Sequence, residues 1–247
     1  MTDARQDSAT GIRLDHASVT LTGKTILHDI SVTLTEPRIG IIGRNGSGKS
    51  TLLRLMAGLI APSSGSITVE GHDPARDRRF MLTALGILFQ NPDHQILFPT
   101  VAEELAFGLT QMGRAKKEAA AEVEALLARE GRAHWAGVST QALSQGQRHY
   151  LALLSVLAMA PRILLLDEPY AGLDLPTQLR LDRRLAGLPQ QLITISHDPA
   201  TMRQADRVLW LEGGRIRRDG PPGEVTAEFE VEMRRLGEQD ADIDLPA

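Results

Sequence analysis

The sequence of 247 residues contains no cysteine. Disulfide bonds and metal sites with thiolate ligands are therefore excluded, and a cytosolic compartment fits this composition. The chain also lacks an excess of basic residues, because 27 Lys and Arg stand against 31 Asp and Glu and leave a formal net charge of −4. Nucleic-acid-binding proteins usually carry a basic face, so the charge argues against nucleic acid as a partner.

Long apolar runs are absent as well. A membrane-spanning helix needs roughly 20 apolar residues in succession, whereas the longest runs, LALLSVLAMA at 151–160 and ILLL at 163–166, have the length of core segments. The first ten residues, MTDARQDSAT, lack the apolar region of a signal peptide and predict a loose tail, as does the acidic end of the chain. If the protein works at a membrane, another protein must hold it there.

What is present is a pattern of alternating strands and helices. Hydrophobic residues make up 42% of the chain, enough for one large domain. Apolar runs or alternation predict strands at residues 12–21, 30–34, 38–42, 65–70, 85–90, 163–166, 192–196, 208–212 and 215–218, with the last two joined as a hairpin by Gly213 and Gly214. Spacings of three and four residues predict helices at 50–57, within 101–129, from 144 to 159 and at 177–185.

This order favours an α/β fold with a parallel sheet that is covered on both faces. We predict one domain overall. Residues 1–90 and 148–247 form its core, and the helical residues 91–147 are inserted between two of its strands.

The segment GRNGSGKST at residues 43–51 matches the phosphate-binding pattern G-x-x-x-x-G-K-[ST]. It follows a predicted strand and begins a predicted helix, which is the context that the pattern requires. Glycines allow backbone N–H groups to point at phosphate oxygens, and the helix N-terminus adds the positive end of its dipole. The alternative, a chance glycine-rich turn, is disfavoured by this register. The predicted contacts are Asn45, Gly46, Ser47, Gly48, Lys49, Ser50 and Thr51, with Lys49 on the β- and γ-phosphates and the Ser50 hydroxyl on Mg²⁺.

Two adjacent carboxylates end the apolar strand in ILLLDEP, residues 163–169. Ligands of a parallel sheet bind beyond the carboxyl ends of its strands, so Asp167 and Glu168 should lie beside the phosphate-binding loop. Since successive residues point in different directions, we predict that Asp167 belongs to the Mg²⁺ shell and that Glu168 is the general base for an attacking water. On its own, such a pair is commonly a solvated strand end.

Five stretches together resemble the nucleotide-binding subunits of ABC transporters: GRNGSGKST, the Gln90 that ends LGILFQ, LSQGQ at 143–147, ILLLDEP, and AGLD at 171–174 followed by ISHD with His197. The resemblance covers nearly the whole chain. It implies an ATPase with a RecA-like P-loop NTPase core, an antiparallel β subdomain and an inserted α-helical subdomain that carries LSQGQ. It also implies ATP and Mg²⁺ as cofactors, and a head-to-tail homodimer with two nucleotides between the copies.

The resemblance assigns further roles. Ser144, Gly146 and Gln147 would contact the γ-phosphate bound by the other copy, which fits a hydroxyl and N–H groups at the start of a helix. Gln90 would sense Mg²⁺ and the water, Asp174 would link the two sites, and His197 would contact the γ-phosphate. An ordinary strand-end histidine is the alternative for His197.

Two positions depart from the family pattern. Gln145 stands where glycine is usual, which removes backbone freedom and adds a hydrogen-bond donor. Leu21 falls where an aromatic residue stacks on adenine, so an aliphatic contact would cover the base and the selectivity for ATP stays open.

The segment FQNPDHQILFPTVAEELAFGL at residues 89–109 is similar to that of ATPases of energy-coupling-factor importers. Together with TEPRIGIIGRNGSGKST at 35–51, it most resembles the ATPases of biotin transporters, with those of cobalt and nickel transporters as near relatives. The resemblance implies a membrane-embedded scaffold, the T component, and more indirectly a substrate-binding S component, which place the subunit at the cytoplasmic face of the membrane.

In this interpretation the segment 93–98 faces the scaffold. Asp93 receives an arginine, Glu103 and Glu104 support it, and apolar residues at 96–98 line the contact. A solvated helix N-terminus is the alternative for the two glutamates.

Other functions remain open at this stage. The chain could drive a different ABC importer or exporter, or it could be a soluble ABC protein of DNA repair or translation. The latter usually carry long coiled-coil inserts or two cassettes, and neither is seen here. A purely regulatory nucleotide-binding module is disfavoured by the intact Glu168 and His197. The transported molecule is chosen by a separate subunit and is not readable from this chain.

Overall fold

A computed structural model describes residues 11–238, so the two predicted tails lie largely outside the described part of the chain. The strands are β1 (Ile12–Leu21), β2 (Lys24–Leu34), β3 (Arg38–Ile42), β4 (Ser64–Val69), β5 (Leu85–Leu88), β6 (Ile163–Asp167), β7 (Gln191–Ser196), β8 (Arg207–Glu212) and β9 (Arg215–Gly220). The helices are α1 (Lys49–Met56), α2 (Arg78–Ala84), α3 (Val101–Gln111), α4 (Lys116–Arg129), α5 (Gln145–Ala158), α6 (Leu175–Ala186) and α7 (Pro222–Gly237).

The strands form two sheets. A six-stranded sheet has the order β5-β6-β7-β3-β8-β9, in which every neighbouring pair is parallel except the hairpin β8–β9. A three-stranded antiparallel sheet has the order β2-β1-β4. The predicted α/β class with a parallel core and an antiparallel β part is therefore confirmed.

Both faces of the large sheet are buried, as its apolar runs require. On β6, Leu165 packs into the core shared with α1 and the antiparallel sheet, while Leu164 and Leu166 pack with α5 and α6 on the opposite face. A third cluster joins α7 to β8 through an edge-to-face contact of Phe229 with Trp210, whose ring centroids lie 5.4 Å apart.

The helical residues between β5 and β6 have a hydrophobic core of their own. It contains Val101 and Leu105 of α3, Val123 of α4, and Leu151 and Leu154 of α5. The last two residues lie beyond 147, so α5 belongs to both the insert and the sheet. Because α5 packs in the cores of both the insert and the sheet, the predicted domain boundary at residue 147 stays a prediction.

The parallel register brings four strand ends to one edge of the large sheet. Ile42 of β3 pairs with Ser196 of β7, Asp167 of β6 pairs with Ile195, and Leu88 of β5 pairs with Leu166. Whatever follows these strands must therefore share that edge, which is where ligands of such sheets bind. Among residues 11–238, no helix is long and apolar enough to cross a bilayer.

Candidate active site

The loop after β3 wraps tightly because its glycines allow it. A Cβ atom at Gly43 would lie only 2.3 Å from the Leu211 carbonyl oxygen, and Gly46 and Gly48 have φ angles of 80° and 105°. Gly48 precedes α1 and supplies no side-chain cap. The N–H groups of the first turn of α1 are thus left to a ligand, and the helix dipole makes that ligand an anion.

Lys49 is the first residue of α1, and its side chain reaches back to the loop. Its Nζ donates hydrogen bonds to the carbonyl oxygens of Gly43 at 2.6 Å and Arg44 at 2.9 Å. Burial lowers the pKa of this lysine, and the carboxylates of Glu168 and Asp167 oppose that shift. An ammonium has three N–H donors, so one remains for a phosphate oxygen beyond the loop.

The other loop residues surround the same concavity. Asn45, Gly46 and Ser50 are exposed, Thr51 is half-buried, and Ser47 and Gly48 are buried. The hydroxyl of Ser47 has no hydrogen-bond partner within the described part of the chain, and it lies 2.6 Å from where a Cβ of Gly43 would be. The seven residues that the motif predicts therefore run from the loop, 45–48, into the first turn of α1, 49–51.

Asp167 and Glu168 follow β6 at the same sheet edge. Burial raises the pKa of the Asp167 carboxyl and the neighbouring Glu168 raises it further, while Lys49 and Arg54 act in the opposite direction. Glu168 has a φ of 48°, an uncommon conformation for a residue with a side chain. This turn aims Glu168 away from Asp167 and toward the end of β7.

Three donors surround the Glu168 carboxylate. Its Oε2 accepts a hydrogen bond from the Ser196 hydroxyl at 2.8 Å. Its Oε1 accepts one from the backbone N–H of His197 at 2.9 Å and lies 2.7 Å from His197 Nδ1. Ser196 is buried, His197 is exposed, and the Glu168 side chain is 12% exposed. The carboxylate is thus fixed in orientation but still reaches solvent.

This arrangement adds a partner that the sequence did not reveal. Ser196 was missed because a serine at a strand end carries no pattern of its own. His197, which the family resemblance places on a γ-phosphate, here contacts Glu168. The two roles are compatible, because an imidazole has a second nitrogen free to face a ligand.

Gln90 follows β5 and is exposed at the same edge. The residues on either side of it are anchored. The N–H of Phe89 donates to Gln95 Oε1 at 3.2 Å, and the Asn91 side chain accepts from the N–H of Asp93 at 2.9 Å. The predicted turn of the chain at Asn91 and Pro92 is a short 3₁₀ helix, Pro92–His94.

The LSQGQ segment forms the N-terminus of α5. The Ser144 hydroxyl accepts from the N–H of Gln147 at 3.3 Å, and the Gln147 side chain accepts from the N–H of Ser144 at 2.8 Å. This reciprocal cap positions the exposed Ser144 at the helix start. A Cβ at Gly146 would lie 2.9 Å from Thr177 of α6, so glycine permits the close packing of the two helices there.

Gln145 and the AGLD segment lie close to this cap. The Gln145 amide nitrogen packs over Gly172, 2.9 Å from where its Cβ would be. Asp174 caps α6 by accepting from the N–H of Thr177 at 3.1 Å, and this hydrogen bonding lowers the pKa of Asp174. Leu21, at the end of β1, is half-buried against the main core.

The structure therefore brings the predicted residues into two groups. Residues 43–51, Gln90, Asp167, Glu168 and His197 share the carboxyl edge of the sheet. Ser144, Gly146, Gln147 and Asp174 form a second group at the N-termini of α5 and α6. Within residues 11–238, no hydrogen bond joins residues 144–147 to the phosphate-binding loop.

The segment after Gln90 requires a correction. Glu104 is only 5% exposed, and its Oε2 accepts the N–H groups of Leu97 at 2.8 Å and Phe98 at 3.0 Å. Its carboxylate holds the loop and does not face outward as expected. Asp93 pairs with Arg148 of α5, with 2.8 Å between Oδ1 and Nε.

The remaining residues of this segment divide by burial. Glu103 forms a capping box with Thr100 at the start of α3 and stays exposed. Ile96 and Phe98 are half-buried, whereas Leu97 is 70% exposed. Of the expected apolar lining, Leu97 is the residue whose side chain faces outward most.

Comparisons with known proteins are consistent with this geometry. The family described as ABC transporter matches residues 27–171. The chain is 49% identical to the biotin transport ATP-binding protein BioM of Rhodobacter capsulatus over 91% of this chain and 96% of that protein. It is 35% identical to the energy-coupling factor transporter ATP-binding protein EcfA1 of Lactiplantibacillus plantarum over 83% of this chain and 75% of that protein. The solved structure of cbiO1 from Clostridium perfringens, part of the ABC transporter complex cbiONQ, superposes with a TM-score of 0.77 at 30% identity, covering 96% of this chain and 98% of that one.

Proposed function

The chain belongs to the ABC transporter family as one of its ATP-hydrolysing subunits, and from that premise we propose that it powers an energy-coupling-factor importer of biotin. The observation that carries the catalytic part is the Glu168 carboxylate, oriented by Ser196 and His197 at the sheet edge where the phosphate-binding loop opens. The biotin assignment is supported by the 49% identity to a biotin transport ATP-binding protein over nearly the whole length of both chains.

The phosphate-binding loop provides positioning and charge. N–H groups at the start of α1 and the Lys49 ammonium surround the phosphates, and Thr51 adds a hydroxyl. Leu21 covers one face of the base by apolar contact. Phosphoryl transfer depends mainly on such positioning and on neutralising the charge of the transferred group.

The oxygen ligands that would hold Mg²⁺ are the Ser50 hydroxyl, the Asp167 carboxylate and the Gln90 amide. They fit this ion, since Mg²⁺ prefers oxygen ligands and keeps several positions for water and phosphate. Within residues 11–238, no cluster of three or more His, Cys, Asp or Glu side chains is suited to hold a metal by itself. The ion would therefore bind together with the nucleotide, and it would neutralise phosphate charge when bound.

Glu168 is the general base in this proposal. Each carboxylate oxygen has two lone-pair sites, so Oε2 keeps one for a water after it accepts from Ser196. His197 orients the opposite oxygen and presents its other nitrogen to the γ-phosphate. Gln90 positions the same water from the loop after β5.

The second group of residues completes the site in a dimer of two copies. Ser144, Gly146 and Gln147 cap α5 away from the phosphate loop of their own chain, so they serve the nucleotide of the partner copy. Asp174, next to this cap at the start of α6, links the two nucleotides. Hydrolysis then requires both copies.

The membrane partners dock on the segment that follows Gln90. Leu97 is 70% exposed, Glu103 is an exposed acid at the start of α3, and Asp93, although paired with Arg148, keeps 56% of its side chain exposed. A scaffold that offers an apolar residue and an arginine fits this surface. The subunit is then peripheral, at the cytoplasmic face of the membrane, and the S component is reached only through the scaffold.

Reconstituted transport tests the proposal. The chain is co-expressed with a candidate scaffold and a candidate substrate-binding membrane protein, and the purified assembly is placed in liposomes with ATP at the subunit's face. We expect uptake of labelled biotin with wild type and none with Lys49→Ala, because that substitution removes the buried ammonium from the loop. ATP hydrolysis without biotin uptake would contradict the cargo assignment.

A cobalt or nickel importer is the second candidate, because the segments 35–51 and 89–109 are also similar to those of the ATPases of such transporters. The same liposomes distinguish the two, because uptake of labelled Co²⁺ or Ni²⁺ in place of biotin would replace the first assignment with the second.

A further inference from the structure

Arg148, in the first turn of α5, makes two contacts that the proposed function does not use. Its Nε lies 2.8 Å from Asp93 Oδ1, and its Nη1 donates to the Leu143 carbonyl oxygen at 2.7 Å. The Arg148 side chain is 26% exposed and that of Asp93 is 56% exposed. One guanidinium therefore joins the segment after Gln90 to the residue before Ser144.

The Gln90 end of this connection is a firmly held turn. Gln95 accepts from the N–H of Phe89 and donates to the Ile87 carbonyl oxygen at 3.2 Å, while Asn91 caps the turn that carries Asp93. Gln90 therefore sits between two anchored neighbours. We expect a displacement of Asp93 to move Gln90 as well, because only Asn91 and Pro92 separate them and Asn91 is hydrogen-bonded to the N–H of Asp93.

On the other side, the contact of Arg148 lies directly next to Ser144, because Leu143 is the residue before it. Leu143 is buried in the core of the helical insert, and the next residue is the capping serine. The backbone N–H of Arg148 donates to the Ser144 carbonyl oxygen at 2.8 Å. The backbone bond is an ordinary helical one, so the specific contribution of the Arg148 side chain is its bond to the carbonyl directly before the cap.

We propose that Arg148 is a positioning residue that couples the two nucleotide sites of the dimer through its contacts with Asp93 and Leu143. The inference rests on the proposed dimer, in which Gln90 serves the nucleotide of its own chain and Ser144 serves that of the partner. Through Arg148, a shift of Gln90 at the nucleotide of its own chain is then accompanied by a shift of Ser144 at the nucleotide of the partner. An arginine suits this role because its Nη1 donates to the Leu143 carbonyl oxygen while the charge of the same guanidinium pairs with Asp93, and a lysine has no second nitrogen for the other contact.

The test is a double-mutant cycle on ATP hydrolysis by the full-length chain, measured over a range of ATP concentrations. Two coupled sites allow a Hill coefficient of up to about 2, and independent sites give about 1. Arg148→Gln and Asp93→Asn should each bring the Hill coefficient near that of independent sites and raise the half-saturating ATP concentration about fivefold, the low end of typical coupling between two sites. Binding of nucleotide to a single copy should change little, since the phosphate-binding loop is untouched.

Arg148 and Asp93 act through one interaction, so the double variant should lose no more cooperativity in ATP hydrolysis than either single variant. Arg148→Lys should retain part of the effect, because it keeps the charge near Asp93 but not the second contact. Arg114→Gln is the matched control. It breaks the Arg114–Glu122 pair, 3.3 Å apart, in the same helical insert, without touching the Gln90 segment.

Additive losses in the double variant would overturn the inference, as would an unchanged Hill coefficient in both single variants. Losses that follow a lowered melting temperature, and that Arg114→Gln reproduces, would show a structural role and overturn it too. Wild-type chain that hydrolyses no ATP would instead refute the proposed function, and the coupling with it.

Discussion

At the scale of single residues, Glu168 shows how a side chain gains a role from its neighbours. Its left-handed backbone turns the carboxylate away from Asp167, and Ser196 and His197 at the end of β7 then orient both oxygens. The adjacent acids therefore stand in different surroundings: Asp167 lies near the charges of Lys49 and Arg54, whereas Glu168 is hydrogen-bonded to Ser196 and His197. That separation lets one bind an ion and the other accept a proton.

Glu168→Gln should abolish turnover while it preserves ATP binding. The amide oxygen can still accept from Ser196, but it cannot take a proton, so we expect kcat to fall by roughly 10²–10⁴-fold. ATP should then hold the two copies together, as size-exclusion chromatography with ATP would show. Glu212→Gln is the control, because Glu212 also faces Lys49 and loses the same charge. An equal loss in both variants would point to charge near Lys49 and not to a general base.

The raised pKa of Asp167 predicts that the binding of ATP with Mg²⁺ depends on pH. Since burial, and then Glu168, raise its pKa above the ordinary 3.8, acidification protonates it earlier than an exposed aspartate. Binding of ATP with Mg²⁺ should therefore weaken as the pH falls toward that raised pKa, and Asp167→Asn should bind weakly at every pH. Titration calorimetry across this range measures both. A wild-type affinity as flat as that of Asp167→Asn would contradict the assignment.

Acidification should affect the contribution of Asp167 to folding stability in the direction opposite to its effect on nucleotide binding. A carboxyl whose pKa is higher in the folded than in the unfolded state holds its proton more tightly when folded. Its contribution to stability is present below the unfolded pKa and is lost as the pH rises through the folded pKa. Acidification in this window therefore favours folding at Asp167 while it weakens the binding of Mg²⁺ and ATP there.

At the scale of elements, the segment between β5 and α3 is shaped by a single buried acid. Glu104 accepts the N–H groups of Leu97 and Phe98 and so holds the loop with Leu97 exposed to solvent. Glu104→Gln should weaken both hydrogen bonds and destabilise the protein by roughly 1–3 kcal/mol, as for other bonds to charged groups.

Thermal unfolding and protection of the amides at 97 and 98 from hydrogen exchange measure this effect. Glu103→Gln is the control, because Glu103 lies in the same turn but is exposed. Equal loss of amide protection in the two variants would show that Glu104 does not hold the loop.

Elements with strong local patterns were predictable from sequence. The apolar strands β3, β6 and β7 and the phosphate-binding loop were placed within a residue or two, because periodicity and glycine spacing are local signals. The strand β2 begins at Lys24, earlier than predicted, because Asp29 at a φ of 54° interrupts its alternation. Helices α2 and α7 had no predicted counterpart.

Contacts between distant segments were not predictable. Asp93 and Arg148 are 55 positions apart, and only the packing of α5 against the turn after β5 brings them together. The burial of Glu104 likewise follows from tertiary packing, since its sequence position is that of a favourable acid in the first turn of a helix. The site residues that carry motifs could be named, but Ser196 and Arg148 required the fold.

At the scale of the whole molecule, a polar cluster joins the helical insert to the sheet. Glu130, at the end of α4, accepts from the Tyr150 hydroxyl of α5 and from Arg184 of α6, the latter at 2.8 Å. Arg132 lies over the rings of Tyr150 and Trp135. Burial, and then Glu130, raise the pKa of Tyr150, so the hydroxyl stays protonated and can donate. We expect the cluster to orient the insert, because Glu130 follows α4 of the insert and Arg184 lies on α6, which packs on the sheet.

Glu130→Gln should therefore act on the whole molecule. The substitution keeps the shape but leaves Arg184, which is a third exposed, without its charged partner. We expect a loss of roughly 1–3 kcal/mol, as for other hydrogen bonds to charged groups, and each kcal/mol lowers the melting temperature of a chain this size by roughly 2–4 °C. Glu124→Gln, an exposed change on α4, is the control and should leave melting almost unchanged. Because the cluster orients the insert that carries Ser144, Glu130→Gln should also slow ATP hydrolysis below the melting range, whereas a purely local role would lower stability alone.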